Sequence, residues 1–295
     1  VPDQLREYPR EVLLSLWLCV TAAHAVVAGE TCRFQYRPPQ VGDRGSQNVH
    51  LEMNMIVTLE QGGQVVQSSD RGVRKDQQRT LKVAAIEQGR VSEAEITFDV
   101  ARESSARNGQ VDPPRNQPVH GKAYVVSRRD GQPLRITDLR GNEPPPEEKE
   151  IVARAAAAIG RANPLAELLD GRTIAVGQRV EVPRRIANEL LGFREAIGDV
   201  QRFVLTLQNA RTREGAPCAT FSAHIVARPL DDPGEPLVIQ GQMLIEQTTC
   251  RVAELAVTCP VQFRENRGPE GGHFTVYGRG ALQVTMRSRA GTASR

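Results

Sequence analysis

Five cysteines and five histidines carry most of the reactive side-chain chemistry in this 295-residue chain. Cys19 lies in an apolar N-terminal run, and Cys32, Cys218, Cys250 and Cys259 are spread over the remainder. An even number of thiols in an exported chain implies two disulfides with three connectivities. Strand parity chooses among them. Cys32 is in phase with Phe34 and Tyr36, and Cys259 is in phase with Val257 and Val261. Cys218 is out of phase with Phe221, Ala223 and Ile225, and Cys250 with Met243 and Ile245. Side chains on opposite faces of one sheet cannot meet. The expectation is Cys32–Cys259 on the inner face and Cys218–Cys250 on the outer face. The second pair would cross-link a hairpin turning near Asp232-Pro233-Gly234-Glu235. No metal site is expected, because there is no C-x-x-C pair and no closely spaced histidine.

Catalytic signals are absent from the pattern. There is no G-x-S-x-G, no H-E-x-x-H, no P-loop and no G-x-G-x-x-G after a strand. His50, His120, His224 and His273 are far apart in sequence. His224 falls on the polar side of its strand, beside Ser222 and Val226. Glu147-Glu148-Lys149-Glu150 reads as a solvated helix start, and Asp231 to Glu235 as a hairpin turn rather than a calcium loop. No catalytic residue and no cofactor site are assigned. A hydrolase would need distant residues to converge in space.

These residues must be positioned by something, and composition narrows the choices. The chain is 39% hydrophobic, 25% charged and 4% aromatic, with 38 basic and 35 acidic residues. Balanced, interspersed charge argues against both wholesale disorder and a polyanion-binding surface. The four lysines leave arginine as nearly all of the basic charge, a bias read as genomic composition and not as nucleic-acid binding. Few aromatics argue against sugar- or base-stacking platforms. Val12 to Val20 forms a short apolar core, and Ala23-His24-Ala25 follows as a small-x-small cleavage site. Residues 1–25 therefore read as a signal peptide. Leu18 before Cys19 does not suit a lipid-anchored cysteine. The expectation is an exported protein of the periplasm, outer-membrane surface or exterior, with no transmembrane span once the signal is removed.

Most of the rest alternates in the manner of half-buried strands. Leu51, Met53, Met55, Val57 and Leu59 form one stripe, and Gln61-Gly62-Gly63-Gln64 offers a hairpin turn. Leu81, Val83 and Ala85, then Ile96, Phe98 and Val100, continue the pattern across a turn at Gly89. Later stripes contain Phe203, Phe221, Ile239, Met243, Leu255 and Leu282. The chain also repeats itself. Val41-Gly42-Asp43-Arg44 recurs as Val176-Gly177-Gln178-Arg179, and Ile86-Glu87-Gln88 as Ile245-Glu246-Gln247. Arg90 to Val100 resembles Arg251 to Val261, and Val119-His120-Gly121-Lys122 resembles Val276-Tyr277-Gly278-Arg279. The order is the same in both halves. The expected organisation is a β-rich half over 26–143, a helical connector over 144–170 and a second β-rich half over 171–289. Pro183 to Ile197 would be a helix inserted in the second half, and 290–295 a disordered tail. The fold class is mainly β (α+β): two duplicated, curved antiparallel halves, or one continuous half-barrel-like sheet.

Val176-Gly177-Gln178 with Val180-Glu181-Val182-Pro183, and the strand-turn unit from Gly241 to Pro260, resemble exported bacterial β-rich domains of unknown function. A curved sheet with a helical segment on its concave face is also similar to the periplasmic lipoprotein carriers, a likeness of fold that implies no activity. The function expected first is a non-catalytic binding module for an apolar or amphipathic ligand. Met53, Met55, Met243 and Ile245 are its candidate ligand face. The alternative is a structural or interaction protein of the cell envelope or exterior with no small ligand, its partner an envelope protein, and a hydrolase comes third.

Overall fold

The structure, a computed structural model, describes residues 30–129, 131–191, 199–228, 236–267 and 274–291. The signal peptide, the Asp232-Pro233-Gly234-Glu235 turn and His273 lie outside the described residues. So do residues 192–198, which include the last part of the expected inserted helix.

Strands dominate. After β1 (Thr31–Arg33) come three long antiparallel strands, β2 (Arg44–Gln61), β3 (Gln64–Glu87) and β4 (Arg90–Arg107). The short β5 (Gln110–Val111) and β6 (Arg115–Asn116) pair with β4, and β7 (Lys122–Ser127) and β8 (Arg135–Asp138) complete the first half. The connector forms α1 (Pro146–Ala155) and α2 (Pro164–Leu169). The second half contains β9 (Thr173–Ala175), β10 (Arg179–Glu181), α3 (Arg184–Leu191), β11 (Asp199–Arg213), β12 (Ala216–Arg228), β13 (Leu237–Glu246), β14 (Val252–Arg267) and β15 (Phe274–Gly291).

The local chemistry explains the elements. The β2–β3 turn places Gly62 and Gly63 at positive φ, the geometry that a two-residue hairpin loop matching strand twist requires. Pro146 opens α1 at a position whose N–H would have no helical partner. Asn163 caps α2 by accepting from the N–H groups of Leu165 and Ala166. Its Nδ2 also donates to the carbonyls of Thr249 and Cys250 at 3.1 Å, which ties α2 to the β13–β14 turn.

The two halves form one open sheet, not two. Its order is β10-β11-β12-β13-β14-β15-β2-β3-β4-β7-β8, and the seam is β15 against β2. The described end of β15, Ala290 and Gly291, pairs with Gly45 and Arg44, so these two residues belong to the sheet and not to a disordered tail. β1 leaves the first half altogether and pairs with β9, carrying Cys32 and Phe34 into the core of the second half.

Register places the main core stripes on one face, here the inner face, while Cys218 and Leu244 form a small buried cluster with Ala253 on the other. Phe203, Ile225 and Ile239 are cross-strand partners in sequence, as are Met243, Leu255, Met286 and Val49. Two separate cores sit on that face. One lies at the β4–β7–β8 end, where Ile96, Phe98, Tyr124 and Val126 pack with Val152 and Ile159 of the connector. The other lies at the β10–β13 end under α2, α3, β1 and β9. Three inner-face glycines let neighbouring strands crowd together. A Cβ on Gly241 would sit 2.4 Å from the Ala256 carbonyl, on Gly278 2.0 Å from the Phe263 ring, and on Gly280 2.0 Å from the Asn54 carbonyl. Glycines at such approaches allow a sheet to curve.

The expected disulfides are not formed. Cys32, Cys218, Cys250 and Cys259 are all buried free thiols with no pair within bonding distance. Parity does place Cys32 and Cys259 in one inner core, but on separate elements. It fails for Cys250, which lies in the β13–β14 turn at φ 48° and turns inward, away from Cys218. Burial pushes the Cys32 and Cys250 thiols up to about 11, with Asp170 adding to the effect at Cys250.

Repeated sequence matches repeated geometry at several points: Ile86 to Gln88 and Ile245 to Gln247 each end a strand at a turn, and Arg90 to Val100 and Arg251 to Val261 each open the next strand. Gly42 donates to the Val83 carbonyl while the Val83 N–H returns to Asp43, and Gly177 and Leu207 make the same exchange through Gln178. The last match has no such equivalence. Val119 to Gly121 precede β7 as a turn, whereas Val276 to Arg279 lie within β15. Between the first two matches the second half holds the β11–β12 hairpin as well as α3.

Candidate functional site: an open apolar stretch of the inner face

Between the two cores, the inner face runs across β14, β15 and β2. Alternation puts Val257, Val261 and Phe263 on it from β14, Val276, Leu282, Val284 and Met286 from β15, and Val49 through Leu59 at odd positions from β2. None of the side chains that β15 and β2 contribute here is buried, and Phe263 is 41% exposed. Leu255, Val257 and Leu282 lean on the second core, while Leu51, Met53, Met55, Val57, Val284 and Met286 belong to neither core. The stretch is therefore apolar, broad and not covered by either helical layer. Charge is absent from β2 and β15 on this face.

The four expected ligand-face residues divide. Met243 and Ile245 are 6% and 0% exposed and form part of the second core. Met53 and Met55 stand on the open stretch. The reason is what lies across from each: α2, α3 and β1 cover β12 and β13 but not β2. The apolar region is thus a surface, and two depressions among the described residues lie off it and are open to solvent. One lies among His50, Asp76, Gln78 and Arg287, the other beside Pro183 and Phe203.

The apolar stretch ends at β3. On the inner face of that strand stand Arg71, Val73, Lys75, Gln77 and Arg79, opposite Met55, Met53, Leu51, Val49 and Gln47. Lys75 pairs with Glu103 at 3.6 Å, and Gln117 bridges Gln77 and Glu103. Arg79 is different. Its Nε donates to Gln47 Oε1 at 2.7 Å, its Nη2 reaches the same oxygen, and no carboxylate pairs with it among the described residues. Burial alone lowers its guanidinium to about 10. Gln47 turns its amide nitrogen toward the sulfur of Met286, so Arg79 stands at the corner where the apolar stretch begins.

The outer face carries the polar chemistry. His50 Nδ1 lies 2.6 Å from Asp76 Oδ1, with Glu52 3.7 Å from Nε2 and Arg74 3.0 Å from the other Asp76 oxygen. Burial raises the Asp76 carboxyl, but His50 and Arg74 outweigh it and hold the group below its usual range. Asp76 fixes the ring through Nδ1, whereas Glu52 lies beyond hydrogen-bond distance of Nε2. His224 is exposed between Val204 and Gln240 on the outer face, and no carboxylate pairs with it among the described residues. His120 Nδ1 accepts from the Ala101 N–H, a structural bond.

Glu148 departs from its expected role. It is not solvated: it accepts from Tyr124 Oη at 2.5 Å and Lys122 Nζ at 2.7 Å, with its side chain 10% exposed. Burial pushes its carboxyl up, yet Lys122 and Tyr124 hold it below the ordinary range. The sequence signal was present in the Lys122–Tyr124 alternation, but only the docking of α1 on β7 reveals the partner. No described helix is long and apolar enough to cross a membrane, and no cluster of metal-ligating residues occurs among the described residues.

No known protein family matches the chain, and no curated protein matches it. Among solved structures it is similar to lipovitellin, described there for its lipid–protein interactions, at 7% identity and a TM-score of 0.39. That likeness covers 87% of this chain and 26% of the lipovitellin chain, so this chain spans about a quarter of that length. It is also similar to a β-barrel-like protein of the domain of unknown function DUF1849 from Brucella abortus, at 10% identity and a TM-score of 0.21, covering 86% of this chain and all of the other.

Proposed function

We propose that this chain is a non-catalytic binding module that receives an apolar or amphipathic ligand on the open inner face of β14, β15 and β2. One observation carries the reading: a three-strand apolar surface that neither core covers, between regions where the same alternation is fully packed. Contiguous apolar surface of this kind marks interaction sites in soluble proteins.

The test uses a neutral solvatochromic dye, Nile red, with the full chain and the variants Met53→Lys and Val284→Lys. Dye emission should rise and shift blue with the parent protein and fall several-fold with either variant, at unchanged circular dichroism. Unfolding of both variants would mean that the face is packed inside the molecule, and the reading falls. If sedimentation shows a dimer that either variant dissociates, the face is a self-association surface and the small-ligand reading falls with it.

A further inference from the structure

The open apolar stretch has chemically unlike ends, and the difference specifies its ligand. At the β14–β15 end stands the exposed ring of Phe263, lying over Gly278 where no side chain obstructs it. At the other end, beside Val49 and Met286, stands Arg79. Of the other cations on β3, Lys75 has Glu103 and Arg74 on the outer face has Asp76, while Arg71, opposite Met55, is exposed to water and not desolvated as Arg79 is. Arg79 has the Gln47 amide oxygen and no carboxylate among the described residues. A partly desolvated guanidinium is stabilised most by a planar anion that takes two of its N–H groups. Gln47 occupies Nε and Nη2 through one oxygen, which leaves Nη1 to a second acceptor. Between the ends, β2 runs from Val49 to Leu59 without an inner-face charge. At roughly 3.3 Å per residue, this is a track of about 30 Å, ample for an extended hydrocarbon chain.

Resting on the open-face reading above, we propose that the ligand is an anionic single-chain amphiphile. Its carboxylate seats on Arg79, and its hydrocarbon lies along β2 and β15 toward Phe263. The apolar stretch supplies affinity through area removed from water. Arg79 supplies the sign of the head group and the direction in which the chain lies.

The experiment compares three sixteen-carbon probes by calorimetric titration of the full chain, each below its micelle concentration: palmitate, hexadecanol and hexadecyltrimethylammonium. Palmitate should bind about tenfold or more tighter than the cationic probe, the scale of one charge-assisted hydrogen bond. Arg79→Met should bring palmitate down to the affinity of hexadecanol and leave hexadecanol unchanged, whereas Arg79→Lys should keep part of the preference. Equal affinities for the three probes, or a preference unaltered by Arg79→Met, would overturn the anionic head group while the open-face reading stands. Absence of binding by all three would overturn both. If Arg79→Met does not fold, the order of the probes on the parent protein and on Arg79→Lys decides the matter.

Discussion

The two ends of the inner face and its middle are built from the same alternating strands, yet they have opposite fates. Phe221 at one end and Phe98 at the other are fully buried, whereas Met53 and Val284 in the middle are half-buried. The middle strands are not less apolar. They lack an opposing layer, because α1 docks against the β4–β7–β8 end and α2, α3 and β1 against the β10–β13 end. Alternation decides which face of a strand is apolar, and the neighbouring elements decide whether that face becomes core or binding surface.

The largest effects should separate ends from middle. Phe221→Ala removes a ring that contacts Phe34 at 6.2 Å between centroids and should cost about 3–5 kcal/mol in urea unfolding. Met53→Ala should cost about 1 kcal/mol or less, since no opposing layer loses contacts. Equal losses at the two sites would break the comparison and show that the middle is also covered.

A smaller effect tests how the β4–β7–β8 end is closed. Glu148 is held below its ordinary range in the fold, so its contribution is fully present above the unfolded carboxyl pKa and is lost as pH falls through the lowered folded value. Glu148→Gln should lower stability at neutral pH by about 1–3 kcal/mol and flatten the acid side of the stability profile below pH 4.5, the ordinary value of this group. A profile parallel to that of the parent protein would mean that Tyr124 and Lys122 do not hold the carboxylate.

The smallest effect sharpens the border between end and middle. None of the four buried thiols should react with iodoacetamide in the native protein at neutral pH, because burial removes both access and thiolate. On mild destabilisation Cys259 should react before Cys32 and Cys250, since it sits on β14 where the cover ends and is 6% exposed. Mass spectrometry of the alkylated peptides reads the order, and simultaneous reaction would show the end and its border opening as one unit.

Much of the fold was legible. The turns at Gly62-Gly63 and Gly89, the stripes of β2, β4, β11 and β12, and the connector helices follow from spacing and turn chemistry. The β3 segment from Gln64 to Thr80 was not legible. It is mostly polar on both sides, so it lacks the period-two signal, and it is strand because β2 hydrogen-bonds along it and β4 joins from Arg71 onward. The same segment holds Arg79, which is why the polar end of the candidate site gave no signal.

By itself, the sequence determined a mainly β chain whose strands each have one apolar side, with Met53 and Met55 on the same stripe. That much is local, because side-chain direction alternates with a period of two. Only the tertiary structure decided that β15 closes onto β2 to make one sheet, that Cys250 turns away from Cys218, that Glu148 is buried, and that Met243 is core while Met53 is surface. Those outcomes depend on which distant segments pack together, and no period within one strand records what lies across from it.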